Sequence, residues 1–133
     1  MTKQIWLNLP VKDLEKSKVF FTALGFKFNE KQGNTEFSAC MMIGENNFIV
    51  MLFEENVFTN LCQNEVTMQG CEMLISIDAE NHEEVDEMAK KAEAAGAYLF
   101  AAPAESQGFM YGCAFADLDG HRWNILYMDF AKS

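Results

Sequence analysis

The chain has 133 residues, half of them apolar and 13% aromatic, and 20 acids against 10 Lys and Arg give a net charge of −10. That length suits one compact domain or two small ones sharing a core, while the charge disfavours nucleic acid and anionic membrane, both of which need basic surface on the protein. The longest apolar runs, such as Phe48 to Phe53, are too short to cross a bilayer, and Met1-Thr2-Lys3-Gln4 has no signal-peptide pattern, so a cytoplasmic location is the expectation.

Ile5 to Val11 alternates, with Ile5, Leu7, Leu9 and Val11 on one face and Trp6 and Asn8 on the other, which reads as a strand. Asp13 is placed to cap a helix from Leu14 to Leu24, closed by Gly25. Strands follow at Phe26 to Glu30, Phe37 to Ile43 and Phe48 to Phe53, separated by turn signals at Gln32-Gly33-Asn34 and Gly44-Glu45-Asn46-Asn47. Glu54 to Gly70 has no clear period and reads as a connection containing at most a helical turn. The pattern then restarts. Glu72 to Asp78 alternates, with Met73, Ile75 and Ile77 opposite Glu72, Leu74 and Ser76. Asn81 with Glu84 three residues on forms a capping-box pattern. Val85, Met88, Ala89, Ala92 and Ala95 mark a helix ended by Gly96. Strands are expected at Tyr98 to Ala102, stopped by Pro103, at Phe109 to Ala116, and at His121 to Met128 after an Asp119-Gly120 turn.

The same element order occurs twice, which is the mark of an internal repeat. Laying Trp6 to Val11 over Glu72 to Ile77 matches the apolar positions, and Cys40 to Phe53 lies over Cys113 to Leu126 without a gap. Trp6 then falls on Glu72 and Met51 on Asn124. The fold expected is α+β, two tandem βαβββ units forming a cupped mixed sheet with helices outside. It is one domain over 1–133, with unit 1 at about 4–53, a linker at 54–70 and unit 2 at about 71–128.

Tandem βαβββ units that open with Leu9-Pro10-Val11-Lys12-Asp13-Leu14-Glu15-Lys16-Ser17 and close with Phe115-Ala116-Asp117-Leu118-Asp119-Gly120-His121-Arg122-Trp123 resemble the vicinal oxygen chelate superfamily. That group includes glyoxalase I, extradiol dioxygenases, and the bleomycin- and fosfomycin-resistance proteins. The resemblance implies a site on the open face of the curled sheet and a homodimer. In metal-dependent members, one ligand, usually His, Glu or Gln, comes from the first and one from the fourth strand of each unit. On this chain those positions fall at Trp6, Met51, Glu72 and Asn124.

Their chemistry argues against a catalytic metal. An indole offers only an N–H donor, a thioether is soft, and an amide oxygen is neutral, so Glu72 alone is a strong ligand for a hard divalent ion. Neither histidine helps: His82 is expected in solvent at the start of the second helix, and His121 at the final turn. No metal ligand set and no cofactor are therefore expected. The pocket floor should carry Trp6, Asn8, Met51, Phe53, Glu72, Leu74, Arg122 and Asn124, with Tyr111 at its mouth. That is an apolar and aromatic lining with few polar groups, as small-molecule pockets have. Trp6 could hold a planar or cationic ligand. Glu72 could anchor a cation or act as a base, although Trp6 and Met51 could equally be packing and Glu72 a partner for Arg122. No nucleophile motif or phosphate loop is present. Cys40, Cys62, Cys71 and Cys113 have no Cys-x-x-Cys spacing and read as reduced thiols packed as small hydrophobes. The function expected is sequestration of an aromatic or cationic small molecule. The alternatives are a metal-dependent glyoxalase-like lyase or dioxygenase-like enzyme, and a metal-free enzyme with Glu72 as its base.

Overall fold

The opening alternation makes strand β1 (Leu7–Val11), whose buried face carries Leu9 and Val11. In the computed structural model, which describes residues 1–66, 70 and 73–132, the chain forms two compact units, residues 1–68 and 69–133. The first continues with α1 (Leu14–Ala23), β2 (Lys27–Phe28), β3 (Ser38–Ile43), β4 (Phe48–Glu54) and α2 (Glu55–Cys62). The second holds β5 (Leu74–Asp78), α3 (His82–Ala94), β6 (Tyr98–Ser106), β7 (Met110–Ala116) and β8 (Arg122–Met128), followed by a 3-10 turn at Phe130–Lys132. Each unit has a four-stranded mixed sheet, ordered β1-β4-β3-β2 and β5-β8-β7-β6. The first strand runs parallel to the last and the others pair antiparallel. This is the α+β, tandem βαβββ arrangement that the element order implies.

The capping expectations hold at atomic detail. Asp13 Oδ1 accepts from the Lys16 amide at 3.1 Å, and Asn81 Oδ1 accepts from the Glu84 amide at 2.8 Å. Glu84 Oε2 reaches back to the Glu80 amide at 2.9 Å, one residue upstream of a strict capping box. Three elements differ from expectation. The stretch after β4 forms a full two-turn helix, α2, packed on β1 and β4. Strand β2 keeps only Lys27 and Phe28, because Asn29 turns the chain into a loop: its side-chain oxygen accepts from the Lys31 and Gln32 amides. Strand β6 runs through Pro103 to Ser106. It is an edge strand with register shifts between Leu99 and Ala104, where a residue lacking an N–H is tolerated.

In unit 1 the buried face of the sheet is Leu9, Val11, Ala39, Met41, Val50 and Leu52, covered by Leu14, Phe20 and Phe21 of α1. In unit 2, Cys113, Phe115, Trp123 and Ile125 pack against Val85, Ala89 and Ala92 of α3. Alanines on the helix let it approach closely, and the freed space is taken by Phe115 and Trp123, stacked at 6.5 Å and 7°.

The closing Asp-Gly turn is held by Asp117. Its Oδ1 accepts from the amides of Asp119 and His121, each at 3.0 Å, and its Oδ2 accepts from Trp123 Nε1 at 3.0 Å. Burial pushes this carboxyl above its ordinary value, against the pull of His121 and of the donors around it. The Asp117 and Trp123 of the closing motif are therefore structural: they fix the turn and enter the core.

The strand pairing also sets the internal repeat. Asn8 pairs with Met51 in unit 1 and Ser76 with Asn124 in unit 2, so with Met51 equivalent to Asn124, Asn8 is equivalent to Ser76. Counting back along each strand, the twin of Trp6 is Leu74, not Glu72. The other end agrees, since Asp13 and Asn81 are the matching helix caps. On the neighbouring strands, Cys40 pairs with Met51 and Ala114 with Asn124. Cys40 and Cys113 are thus not equivalent, and a slip of one residue puts them on opposite faces of their sheets.

Candidate functional site

Each sheet has a face opposite its core, and the predicted pocket residues are read off these two faces. In unit 1 the rows across the face are Asn8, Met51 and Cys40, then Pro10, Phe53 and Ser38. Trp6 precedes β1 by one residue, continues the alternation of Asn8, and is 52% exposed. Asn8 is exposed, while Met51 and Phe53 are half-buried. Four predicted residues, Trp6, Asn8, Met51 and Phe53, therefore share one face, as alternation required.

That face has a roof no pattern foretold. The loop between β2 and β3 folds back so that a Cβ built on Gly33 would lie 2.9 Å from Cys40 Cβ and 3.4 Å from Met51 Sδ. The loop is pinned by Ser38 Oγ donating to the Gly33 carbonyl at 2.9 Å and by the Thr35 amide on the Ser38 carbonyl, also at 2.9 Å. Gly33 itself has φ +72°, which a side chain would strain. The sequence signal was Gln32-Gly33-Asn34, readable as a turn but not as a turn laid over Met51.

In unit 2 the rows are Leu74, Arg122 and Ala116, then Ser76, Asn124 and Ala114, then Asp78, Leu126 and Gly112. Arg122 places its guanidinium carbon 4.4 Å from the centre of the Phe100 ring, a cation–π contact. Its neighbour across the parallel pair is Leu74, so that row offers it no carboxylate. Asn124 Oδ1 is buried and has no hydrogen-bond partner among the described residues. Glu72 lies outside the described residues.

Tyr111 is not on this face. It shares the α3 side with Cys113: its hydroxyl donates to Asp86 Oδ1 at 2.6 Å and its ring stacks on His82 at 4.0 Å. The Asp86 bond, then burial, raises the Tyr111 hydroxyl above its ordinary value. His82 is correspondingly half-buried between Tyr111 and Tyr127 rather than free in solvent. Tyr111 was expected at the pocket mouth. Register with Tyr127, not Leu126, sends Tyr111 the other way.

By register, the positions at which the resemblance implies ligands become Trp6, Met51, Leu74 and Asn124. Among them only the Asn124 amide oxygen is an oxygen donor, and it is neutral. Its lack of a partner is what a missing ligand would leave, but one neutral oxygen cannot hold a hard divalent ion that needs several anionic or imidazole donors. Among the described residues, no three His, Cys, Asp or Glu side chains gather as such a group. The donor set does not fit the family metal.

A family model described as bleomycin resistance protein-like N-terminal matches residues 3–44. No curated protein matches the chain. A hypothetical protein of known structure from S. aureus is 40% identical, with 96% of this chain and 94% of that one covered and a TM-score of 0.86. A glyoxalase/bleomycin resistance protein/dioxygenase family enzyme from Burkholderia phytofirmans is similar at 21% identity, 93% and 97% coverage and TM-score 0.80. The fosfomycin resistance protein FosX of Listeria monocytogenes, solved with Mn(II) and sulfate, is similar at 18% identity, 99% and 94% coverage and TM-score 0.71. At such identities these last two likenesses speak for the fold. With the tandem βαβββ units and the closing turn, these likenesses give the chain the fold of the glyoxalase/bleomycin resistance/dioxygenase proteins, and its first unit matches the bleomycin resistance protein-like model.

Proposed function

We propose that this protein binds an aromatic or cationic small molecule without the family's catalytic divalent metal. One observation carries the reading: the four equivalent positions, Trp6, Met51, Leu74 and Asn124, supply a single neutral oxygen. The faces they belong to carry an exposed indole, a thioether, Phe53 and an Arg122–Phe100 pair, groups that favour a flat or apolar ligand over a chelated ion. The net charge of −10 favours cations at the surface. A cytoplasmic homodimer completes the proposal, and sedimentation giving a single-chain mass would remove the dimer from it.

The test is metal analysis after dialysis against zinc, nickel and manganese, followed by a thermal-shift screen with benzamidine and other aromatic cations. The expected result is metal far below one ion per chain, with a ligand-induced rise in midpoint that Trp6→Ala abolishes. Stoichiometric metal that is lost in Glu72→Ala would overturn the reading.

A further inference from the structure

The same register that removes the hard donors brings soft ones together. Cys40 and Met51 are directly opposite one another on β3 and β4. Cross-strand pairs of this kind hold their Cβ atoms about 4.5–5.5 Å apart. Met42, two residues along β3, is on the same face, next to the Cys40–Met51 row. One point, the position of a Cβ on Gly33, lies 2.9 Å from Cys40 Cβ and 3.4 Å from Met51 Sδ, so the Met51 thioether and the root of the Cys40 side chain both lie against the Gly33 loop. Cys40 is a free thiol and 7% exposed. The oxygen donors of the face, Asn8 and Ser38, are neutral, and Ser38 is already bonded to Gly33 and Thr35.

We propose that Cys40, Met51 and Met42 form a binding site for a soft monovalent metal ion, Cu(I) by class. Thiolate and thioether sulfur select Cu(I) over the hard divalent ions of the superfamily, and Cu(I) accepts two or three such ligands. Binding exchanges a proton for the metal: the Cys40 S–H breaks, its proton goes to solvent, and the sulfur pair forms the bond to Cu(I), with no change of oxidation state. Met51 and Met42 each give a lone pair and lose nothing. The Gly33 loop lies against the pair, and its Gly33 carbonyl is already engaged by Ser38 Oγ.

The experiment uses the full chain with Cys62→Ser and Cys71→Ser, titrated anaerobically with Cu(I) against bicinchoninate and, separately, with Ag(I). One ion per chain is expected, weakened at least tenfold by Met51→Leu, several-fold by Met42→Leu, and abolished by Cys40→Ala. Met51→Leu conserves volume, so an unchanged melting temperature shows that its fold is intact. Failure of the double-serine chain to take up Cu(I) would overturn the site, and so would Met51→Leu binding as tightly as its parent. Either failure leaves the small-molecule reading standing, since that reading concerns zinc, nickel and manganese and depends on Trp6.

Discussion

At the scale of single residues, Asp117 is the group whose loss is felt most directly. It satisfies three N–H donors in a buried turn. Asp117→Asn keeps the two backbone bonds on one oxygen but sets an NH2 against the Trp123 N–H. A lost charge-assisted bond to a buried donor costs roughly 2 kcal/mol, expected as a lower urea midpoint with an unchanged slope. Cys113 gives the pH dependence. Burial, then Asp86, pushes its thiol from 9.0 to about 11, and its Sγ faces the Val85 carbonyl at 3.9 Å. The folded chain thus holds this proton where the unfolded chain has released it. Stability contributed by the neutral thiol is full below pH 9.0 and declines through about 11. Thermal melts across that window should fall for the parent and flatten for Cys113→Ala.

At the scale of elements, the strands, both long helices and their caps were legible because each has its own periodicity or capping chemistry. Register was not. Glu72 and Leu74 occupy the same phase of the alternating sequence pattern, so a shift of two residues changes no apolar match and pattern cannot choose between them. Counting back from the helix caps Asp13 and Asn81 does choose, and it selects Leu74. Cys40 and Cys113 misled in the opposite way: their shared identity suggested a gapless repeat, while the longer turn before β8 displaces β7 by one residue. Tyr111 was misplaced through the same difficulty, a side chain's face being set by its pairing partner. Pro103 was read as a stop because its missing N–H ends an inner strand, but an edge can absorb it. The loop over Met51 depends on contacts distant in sequence, and Gly33 is its test. Gly33→Ala combines a positive φ with contact against Cys40 Cβ. It should cost about 1–2 kcal/mol by urea denaturation, whereas an unchanged midpoint would mean the loop lifts freely.

For the whole molecule, the excess of acids sets the solution behaviour. Glu80, Glu83, Glu84 and Glu87 are exposed around the first turns of α3, and a net −10 on 133 residues is self-repelling. Raising sodium chloride from low ionic strength to the physiological range should screen that repulsion. A gain of about 1 kcal/mol would raise Tm by roughly 4 °C, and a calorimetric scan at constant pH 7 checks it. Salt should also weaken benzamidine binding if surface charge contributes to capture. No helix is long and apolar enough to cross a membrane among the described residues.

The bulged edge strand β6 has a consequence for how these molecules meet. A sheet border normally exposes a row of open N–H and C=O groups onto which another chain can add. Here nine residues lie at that border, most of them exposed, with the row broken twice by register shifts and once by a proline that has no hydrogen to give. An incoming strand finds no uninterrupted ladder to extend. The chain can therefore be concentrated without growing from this edge into fibres, even though Tyr98 and Phe100 sit on it in solvent.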